Sequence, residues 1–375
     1  MAGRTASQRA ALEKQNAAIM AVFERAGFEQ IAPDIIQPAD IFLERSGEDI
    51  RARTFVFNDP DGNELCLRPD LTVPACRFHL SHAVLPEQEA RYSYLGPAFR
   101  FPDEKLSPQE FTQAGLEWFG AGDGVAAEAR MLKLALSALE AAGASNLKVT
   151  LGDVGLFAAL LADTPMPPRW RRRLQHQFWR PDAFKSLLHS FAAGAARNRS
   201  SISEVIDVMG AQKPLDAAVA WAGRHGLPLQ GARGLDEIAA RLSEKLADRS
   251  EQALPQAAVA LLENYLALEG AASDLPLVLR GMAGGAKFQL AVGAYERRIA
   301  ALEEQGLNPK RFHFSANFGR EIEYYTGFVF QIEVQGLSVA GGGRYDDMLQ
   351  DLGAESSISA LGFAVHTERL QAALA

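Results

Sequence analysis

Cysteine is almost absent from this sequence, which has Cys66 and Cys76 as its two cysteines among 375 residues. The two do not form a CxxC motif, so neither a disulfide framework nor a zinc ribbon is indicated. Both are expected to be reduced core residues, as is usual for proteins of the cytoplasm.

Long apolar runs are absent as well. No run reaches the ~18 residues that a transmembrane helix needs, and the N-terminus has no apolar signal core. We therefore expect no membrane partner.

An excess of positive charge is also absent. The chain has 38 Lys and Arg residues and 46 Asp and Glu residues, which gives a net charge of −8. That balance argues against a general nucleic-acid binder.

What the sequence does have is an ordinary globular composition. Apolar residues make up 48% and charged residues 22% of the chain, which is enough to bury a sizeable core. At 375 residues it is long enough for two folding units or for one large domain with an insertion.

The most informative stretch is 91–120, which reads RYSYLGPAFRFPDEKLSPQEFTQAGLEWFG. It predicts two strands joined by a polar loop that contains two prolines. In the second strand, 110–119, the period of two places Gln113 and Glu117 on one face together with aromatic side chains. Taken alone, this pattern fits an amphipathic hairpin as well as it fits a binding site.

Around this hairpin the pattern is that of an α+β fold. The other predicted strands follow one another as antiparallel meanders, and helices bracket them instead of alternating with them. The region 156–285 has the helical period and few strand signals. We therefore predict a main domain made of 1–155 and 286–375, with 156–285 as a helical insertion.

The insertion carries a basic cluster among aromatic residues. Arginines mixed with aromatics are typical of RNA-binding surfaces, but also of a solvated helix face whose arginines cover a small core. The second explanation is the commoner one, and we expect it here. The cluster consists of Arg169, Arg171, Arg172, Arg173 and Arg180 with Trp170, Phe178 and Trp179.

Six ordered motifs resemble the catalytic core of class II aminoacyl-tRNA synthetases, and specifically the histidyl enzyme. The segment 28–42 is similar to motif 1, the dimer-forming element, 91–120 to motif 2, and 362–370 to motif 3. Three further segments match motifs of the histidyl enzyme: LRPDLT at 67–72 resembles LRPEGT, REIEYYT at 320–326 resembles RGLDYYT, and AGGGRYD at 340–346 resembles AGGRYD. The resemblance covers roughly 10–155 and 286–375, and it implies an antiparallel sheet flanked by helices.

The resemblance also implies a pocket for histidine. A zwitterionic amino acid needs an acceptor for its ammonium group, a cation for its carboxylate and a wall for its ring. Singly, each residue has a plainer explanation, such as a surface ion pair or a core tyrosine. The implied set is Asp70, Thr72, Arg100, Gln113, Glu117, Arg320, Tyr324, Tyr325 and Tyr345, in which Asp70 and Glu117 accept, Arg100 or Arg320 binds the carboxylate, and Tyr325 and Tyr345 form the wall.

The departures from the synthetase pattern concern ATP and tRNA. Pro102 stands where the family's FRxE motif has its glutamate, and the loop after it is acidic. His366 replaces the second glycine of GFAxGxER, a position whose lack of a side chain lets the nucleotide approach. Glu321 replaces another family glycine, whereas Arg369 is retained. The anticodon-binding domain that follows motif 3 in the family is also expected to be absent.

An amino-acid pocket without its nucleotide site resembles the family of ATP phosphoribosyltransferase regulatory subunits. This resemblance implies a subunit without catalytic residues or cofactors that acts in the first step of L-histidine biosynthesis. It implies a homodimer, joined to a short-form catalytic subunit in a hetero-oligomer, which activates that subunit and makes it inhibitable by L-histidine. No tRNA partner is expected, and the expected location is the cytoplasm.

Two alternatives are enzymes that activate histidine with ATP. One is a histidyl-tRNA synthetase core that charges tRNA by an unusual route, and the other is a transferase with a different acceptor. Both need the nucleotide, so the changes at Pro102 and His366 count against both.

Overall fold

The computed structural model of the protein describes residues 3–45, 52–102, 109–122, 124–178, 180–194, 243–244, 247–248, 251–319 and 324–375. The chain divides into two compact units, one of Met1–Leu160 with Tyr265–Ala375 and one of Leu161–Asn264. The second unit is shorter than the insertion expected at 156–285. One reason is that a strand at Glu269–Ala271 pairs within the main sheet of the first unit.

Two sheets organise the first unit. The strands are β1 (Glu29–Gln30), β2 (Ile36–Pro38), β3 (Phe55–Asn58), β4 (Glu64–Leu67), β5 (Ala90–Phe99), β6 (Glu110–Phe119), β7 (Lys148–Asp153), β8 (Glu269–Ala271), β9 (Phe312–Ser315), β10 (Phe328–Val334), β11 (Leu337–Arg344) and β12 (Ala360–His366). The large sheet has the order β1-β5-β6-β12-β11-β10-β7-β9-β8, and the small one has the order β2-β4-β3. Pairing is parallel for β1 with β5 and for β7 with β9, and antiparallel between the other neighbours.

Helices flank these strands in sequence, and this arrangement confirms the predicted α+β class. They are α1 (Ala6–Arg25), α2 (Ala39–Arg45), α3 (Thr72–His82), α4 (Gly124–Ala141), α5 (Val154–Asp163), α6 (Pro168–His176), α7 (Pro181–Ala192), α8 (Gln256–Leu266), α9 (Leu275–Gly281), α10 (Ala286–Glu304), α11 (Met348–Asp351) and α12 (Thr367–Leu374). Within the described ranges, no helix combines the length and the apolar character needed to cross a bilayer.

The first helix illustrates how local sequence sets these bounds. Thr5 caps α1, in a capping box with Gln8. The Thr5 hydroxyl accepts from the Gln8 backbone and the Gln8 side chain accepts from the Thr5 backbone, so both unpaired groups are satisfied. Ile19 and Phe23 of this helix are fully buried.

The site depends on the register in which β6 pairs with its two neighbouring strands. The strand predicted at 110–119 is β6 with these bounds. It lies between β5 and β12, so that Gln113 is opposite His366 and Glu117 is opposite Gly362. Side chains at alternate positions of adjacent strands stand on one face of the sheet, and the site is assembled on this face.

The segment expected to be motif 1 is divided between the two sheets. Its first part, β1, runs parallel to β5, and its second part, β2, pairs with β4. Proline has no N–H to donate to a strand ladder, so Pro33 and Pro38 restrict both strands to short lengths. Arg68 holds the segment in place by donating to the carbonyls of Pro33 and Pro97.

The second unit contains most of the basic cluster. Arg169 donates to Asp248 at 2.7 Å and to Glu251 at 2.6 Å, and Arg173 donates to Asp248 at 2.7 Å. Trp170 is buried and stacks on Phe191 with ring centres 4.2 Å apart. Phe178 is buried as well, and Trp179 lies outside the described residues. These contacts favour the structural explanation of the cluster, because its described aromatics are buried and its paired arginines are neutralised.

Candidate functional site

A pocket opens on the sheet face that carries Gln113 and His366. Its volume is about 470 Å³, including its open mouth. Residues from six segments of the chain line it: Asp70, Thr72, Arg100, Gln113, Tyr324, Tyr325, Gly341, Tyr345, Gly362, Phe363, Ala364 and His366.

The strand β12 gives the pocket two distinct ends. Gly362 and His366 both line it, and they are opposite Glu117 and Gln113 respectively. One end therefore lies over Glu117, and the other lies beside Gln113 and His366.

Glu117 lies beneath the first end, fully buried, and is not itself among the lining residues. Tyr94 donates to its Oε1 at 3.0 Å, and Tyr345 donates to its Oε2. A Cβ at Gly362 would overlap this carboxyl group. The glycine opposite Glu117 is therefore what leaves room for the acid.

The electrostatics of Glu117 follow from its burial. Burial raises the pKa of Glu117 to about 8, and the charge of Asp70 adds to the rise, whereas hydrogen bonds from Tyr345, Thr72 and Tyr94 oppose it. At neutral pH the carboxyl group is therefore largely protonated. A positive charge brought close to it would favour the ionised form.

Asp70 lies just before α3, where a hydrogen bond from the helix backbone fixes its side chain. Its Oδ1 accepts from the Val73 N–H at 3.2 Å, and its side chain is buried. Burial raises the pKa of Asp70, while the Arg100 charge and the N–H groups of Val73 and Thr72 oppose the rise. The carboxylate thus lines the pocket with a guanidinium group as its electrostatic partner.

Gln113 on β6 is hydrogen-bonded to the backbone just before α3. Its Oε1 accepts from the Leu71 N–H at 3.2 Å, and its side chain is 3% exposed. The amide N–H₂ is then the part of Gln113 that can donate to a ligand.

The opposite end is defined by Arg100 and His366 around one aromatic ring. The guanidinium carbon of Arg100 lies 5.4 Å from the centre of the Phe111 ring, and the His366 ring centre lies 5.1 Å from it. Arg100 is held by a 2.7 Å hydrogen bond from its Nε to the Pro69 carbonyl. This end therefore presents nitrogen donors, in contrast to the acid at the other end.

Three tyrosines form an aromatic wall. The ring centres of Tyr324 and Tyr325 are 5.0 Å apart, and those of Tyr324 and Tyr345 are 5.7 Å apart at an interplanar angle of 74°. Tyr345 is 1% exposed, so its hydroxyl is directed into a buried hydrogen bond with Glu117. A flat polar ring could pack against such a wall.

A buried ion network holds the strand end that carries Tyr345. Arg344 donates to Glu128 at 2.6 Å and to Asp346 at 2.9 Å. The other oxygen of Glu128 accepts from Arg298, which also donates to Asp153 at 2.7 Å. Because every charge has a partner, the network can stay buried, and it restricts the backbone on both sides of Tyr345.

The structure thus brings together most of the predicted site residues. Seven of the nine predicted histidine-binding residues line the pocket: Asp70, Thr72, Arg100, Gln113, Tyr324, Tyr325 and Tyr345. Glu117 lies below it, and Arg320 lies outside the described residues. Of the predicted nucleotide-site positions, His366 lines the pocket, whereas Pro102 and Arg369 are not among its lining residues in the described part of the chain.

Relatives of known name match this chain along most of its length. The family model described as histidyl-tRNA synthetase matches residues 4–248 and 232–370. A protein from Sinorhizobium fredii, named ATP phosphoribosyltransferase regulatory subunit, is 35% identical over 95% of this chain and 96% of its own length. A protein of the same name from Mesorhizobium japonicum is 39% identical over 90% of this chain and 91% of its own length.

The chain belongs to the family of ATP phosphoribosyltransferase regulatory subunits.

Membership in this family confirms the predicted resemblance. It supports a regulatory role over the two alternatives that activate histidine with ATP, because the relatives are named as regulatory subunits.

Solved structures confirm the class II synthetase-like fold. A Bacillus halodurans C protein, described as an ATP phosphoribosyltransferase regulatory subunit/histidyl-tRNA synthetase, matches with a TM-score of 0.71 at 21% identity, over 100% of this chain and 82% of that one. The apo histidyl-tRNA synthetase of S. aureus matches with a TM-score of 0.57 at 17% identity, over 100% of this chain and 72% of that one. Identities this low show the shared fold alone.

Sequence reasoning missed Tyr94 and Gly362. Tyr94 stands opposite Gly115 on β5, so its hydroxyl reaches Glu117 across the strand pair. One sequence pattern indicated a strand that contains Tyr94. Residues 91–100 alternate aromatic and small side chains, as expected of a strand paired with β6. Gly362 belongs to the segment similar to motif 3, but its role here depends on its register with Glu117, which the motif does not indicate.

Proposed function

We propose that this protein is the regulatory subunit of ATP phosphoribosyltransferase and that its pocket binds L-histidine as a feedback signal. The subunit would associate with a short-form catalytic subunit, raise its activity, and transmit histidine occupancy to it as inhibition. The observation that carries the proposal is the pocket itself, which combines a buried acid, an opposing guanidinium group and a tyrosine wall in a member of this family.

Each part of the amino acid has a counterpart in the pocket. The α-ammonium group would donate to Asp70, whose charge is also felt by Glu117. The α-carboxylate would accept from Arg100, and Gln113 would donate its amide N–H₂. The ring would lie against the tyrosine wall of Tyr324, Tyr325 and Tyr345. Arg320 stays a predicted second partner of the carboxylate, and Thr72 a partner of the ammonium group.

The protein would bind histidine without activating it. His366 lies in the pocket with its ring against Phe111. An aromatic face of this kind is where a purine base would stack, and the imidazole already covers it. Activation also needs the α-phosphate in line with the carboxylate within about 3–3.5 Å, and a displaced nucleotide cannot meet that requirement. We therefore propose no catalytic residue, no cofactor and no tRNA substrate.

A second copy of the chain would bind through the small sheet. Ile36 and Phe57 lie on the same face of this sheet, on β2 and β3, which form its two edges, and they are 52% and 38% exposed. Exposed apolar side chains clustered in this way favour a protein interface. They lie on and beside the segment similar to motif 1, and this position supports a homodimer within a hetero-oligomer. As a subunit of an ATP-using biosynthetic enzyme, the complex would work in the cytoplasm.

The test is an ATP phosphoribosyltransferase assay with a short-form catalytic subunit from the same organism. We expect low activity for that subunit alone, higher activity after addition of this chain, and inhibition of the mixture by L-histidine. Asp70→Asn should raise the histidine concentration needed for inhibition by about tenfold or more, because a charge-assisted contact is lost.

The matched control is Glu303→Gln, which removes an exposed carboxylate at the end of α10. It should leave the inhibition curve unchanged. Failure of this chain to stimulate the catalytic subunit would contradict the regulatory proposal, and equal inhibition of wild type and Asp70→Asn would contradict the pocket assignment.

A further inference from the structure

His366 lies at the end of the pocket that presents nitrogen donors. Its side chain can therefore contact a ligand as well as occupy space. Gly362, Ala364 and His366 all line the pocket along β12. A strand rises by about 3.3 Å per residue, so Gly362 and His366 are separated by about 13 Å. An amino acid whose ring lies near Tyr345 would therefore point its other end toward His366.

Arg100 and His366 lie at the same end of the pocket. Both line the pocket, and both lie beside the Phe111 ring, at 5.4 Å and 5.1 Å from its centre. His366 is also opposite Gln113 in the ladder. An imidazole carries an N–H donor in either tautomer and in its protonated form. Three donor side chains thus surround the end of the pocket at which the carboxylate would lie.

We propose that His366 is a specificity-determining residue that binds the free α-carboxylate of the amino acid together with Arg100. The proposal rests on the proposed function, since it assigns one more contact within the same pocket. A site built to hydrogen-bond a ligand group rejects analogues that lack the group, because its own polar groups then lose their partner. The pocket would therefore distinguish the free amino acid from derivatives in which the carboxylate is reduced, esterified or amidated.

This role differs measurably from that of a space-filling side chain. A side chain that merely excludes the nucleotide would affect all amino-acid ligands alike when it is removed. A side chain that contacts the carboxylate would affect only the ligands that have a carboxylate. Measuring the affinities of two ligands, one with and one without a carboxylate, for wild type and for the variant separates these cases.

The experiment is calorimetric titration of the full chain with L-histidine and with L-histidinol, which carries an alcohol in place of the carboxylate. The proteins are wild type, His366→Ala, and His366→Gln, which keeps a donor. His313→Ala is the control, because His313 is a histidine whose side chain is 44% exposed on β9. Circular dichroism melting of each variant establishes that it is folded.

We expect wild type to prefer L-histidine and His366→Ala to lose about tenfold or more of its affinity for L-histidine. Affinity for L-histidinol should stay within about twofold, and His366→Gln should recover part of the loss. Equal losses for the two ligands, or no loss for either, would overturn the role of His366 while leaving the histidine pocket standing. Absence of L-histidine binding by wild type would instead overturn the proposed function, and with it this inference.

Discussion

At the scale of single residues, Glu117 is the most constrained acid of the site. It is fully buried, accepts from Tyr94 and Tyr345, and lies opposite Gly362. Burying a carboxylate is costly unless the group is neutralised or hydrogen-bonded, and here it is hydrogen-bonded and largely protonated. This acid would therefore respond to charge brought into the pocket.

Replacement of Glu117 by Gln should flatten the dependence of stability on pH. The folded-state pKa of about 8 exceeds the ordinary value of 4.5, so the folded protein binds more protons between these pH values. The free energy of unfolding should therefore fall as pH rises through this window, by up to about 1.4 kcal/mol per pH unit. Glu117→Gln should remove this part of the slope, as measured by urea unfolding at pH 5.5, 7 and 8.5.

Some slope of the same sign should remain in that variant, because burial also raises the pKa of Asp70. Glu303→Gln serves again as the exposed control and should keep the wild-type slope. A slope that is identical in Glu117→Gln and wild type would contradict the assignment.

Binding of L-histidine should release protons. The ligand's ammonium group would lower the raised pKa of Glu117, whose carboxyl group then ionises. Affinity should rise between pH 7 and pH 8, above the ordinary imidazole pKa of about 6.5. Titration calorimetry in two buffers of different ionisation enthalpy measures the protons released, and Glu117→Gln should release fewer. Binding enthalpies that do not depend on the buffer would argue against this coupling.

At the scale of elements, the site depends on the register of β6 against β12. This register places Glu117 opposite Gly362 and Gln113 opposite His366. A slip by one residue would turn all of these side chains to the other face of the sheet. The pocket is therefore a property of the strand pair as much as of its residues.

Gly362→Ala should damage the site because its Cβ would overlap the Glu117 carboxyl group. We expect a loss of about 1–3 kcal/mol in stability, as for other overpacked cores, together with weaker L-histidine binding. Gly122→Ala is the matched control, since a Cβ there would meet no atom within 4 Å. Thermal melting and calorimetry measure both effects, and a Gly362→Ala protein that behaves like Gly122→Ala would disprove the packing argument.

Sequence patterns predicted these elements unevenly. The strand β6 was predicted with its observed bounds, because alternation over ten residues is a strong signal. The bounds of the segment similar to motif 1 were not, because prolines at 33 and 38 end strands without indicating which sheet each strand joins. Tyr94 and Gly362 were missed as partners of Glu117 because both relations depend on pairing between strands, which cannot be read directly from a single sequence. The ends of the insertion depend in the same way on a distant pairing, that of β8 with β9.

At the scale of the whole molecule, the proposed function needs two different surfaces. The pocket would bind the signal, and protein interfaces would transmit it, with a coupling free energy typically of about 1–3 kcal/mol. The small sheet would offer one apolar surface for the proposed second copy.

Phe57→Asp should convert the proposed homodimer to monomers, because a charge would be buried at the interface without a partner. Size-exclusion chromatography with light scattering at micromolar concentration measures the mass. Val84→Asp is the control, since Val84 is 94% exposed and lies outside the small sheet. A dimer that persists in Phe57→Asp would place the interface elsewhere.

The position of β12 has a consequence for how the protein is made on the ribosome. It is the last strand of the described chain, yet it lies in the middle of the large sheet, between β6 and β11. Until it emerges, β6 and β11 each leave an unpaired edge, the kind of edge that invites aggregation. We expect a chain that stops at Ser359 to be recovered mainly in the insoluble fraction, whereas a chain truncated within α12 should remain partly soluble. Equal solubility of the two truncated chains would contradict this account.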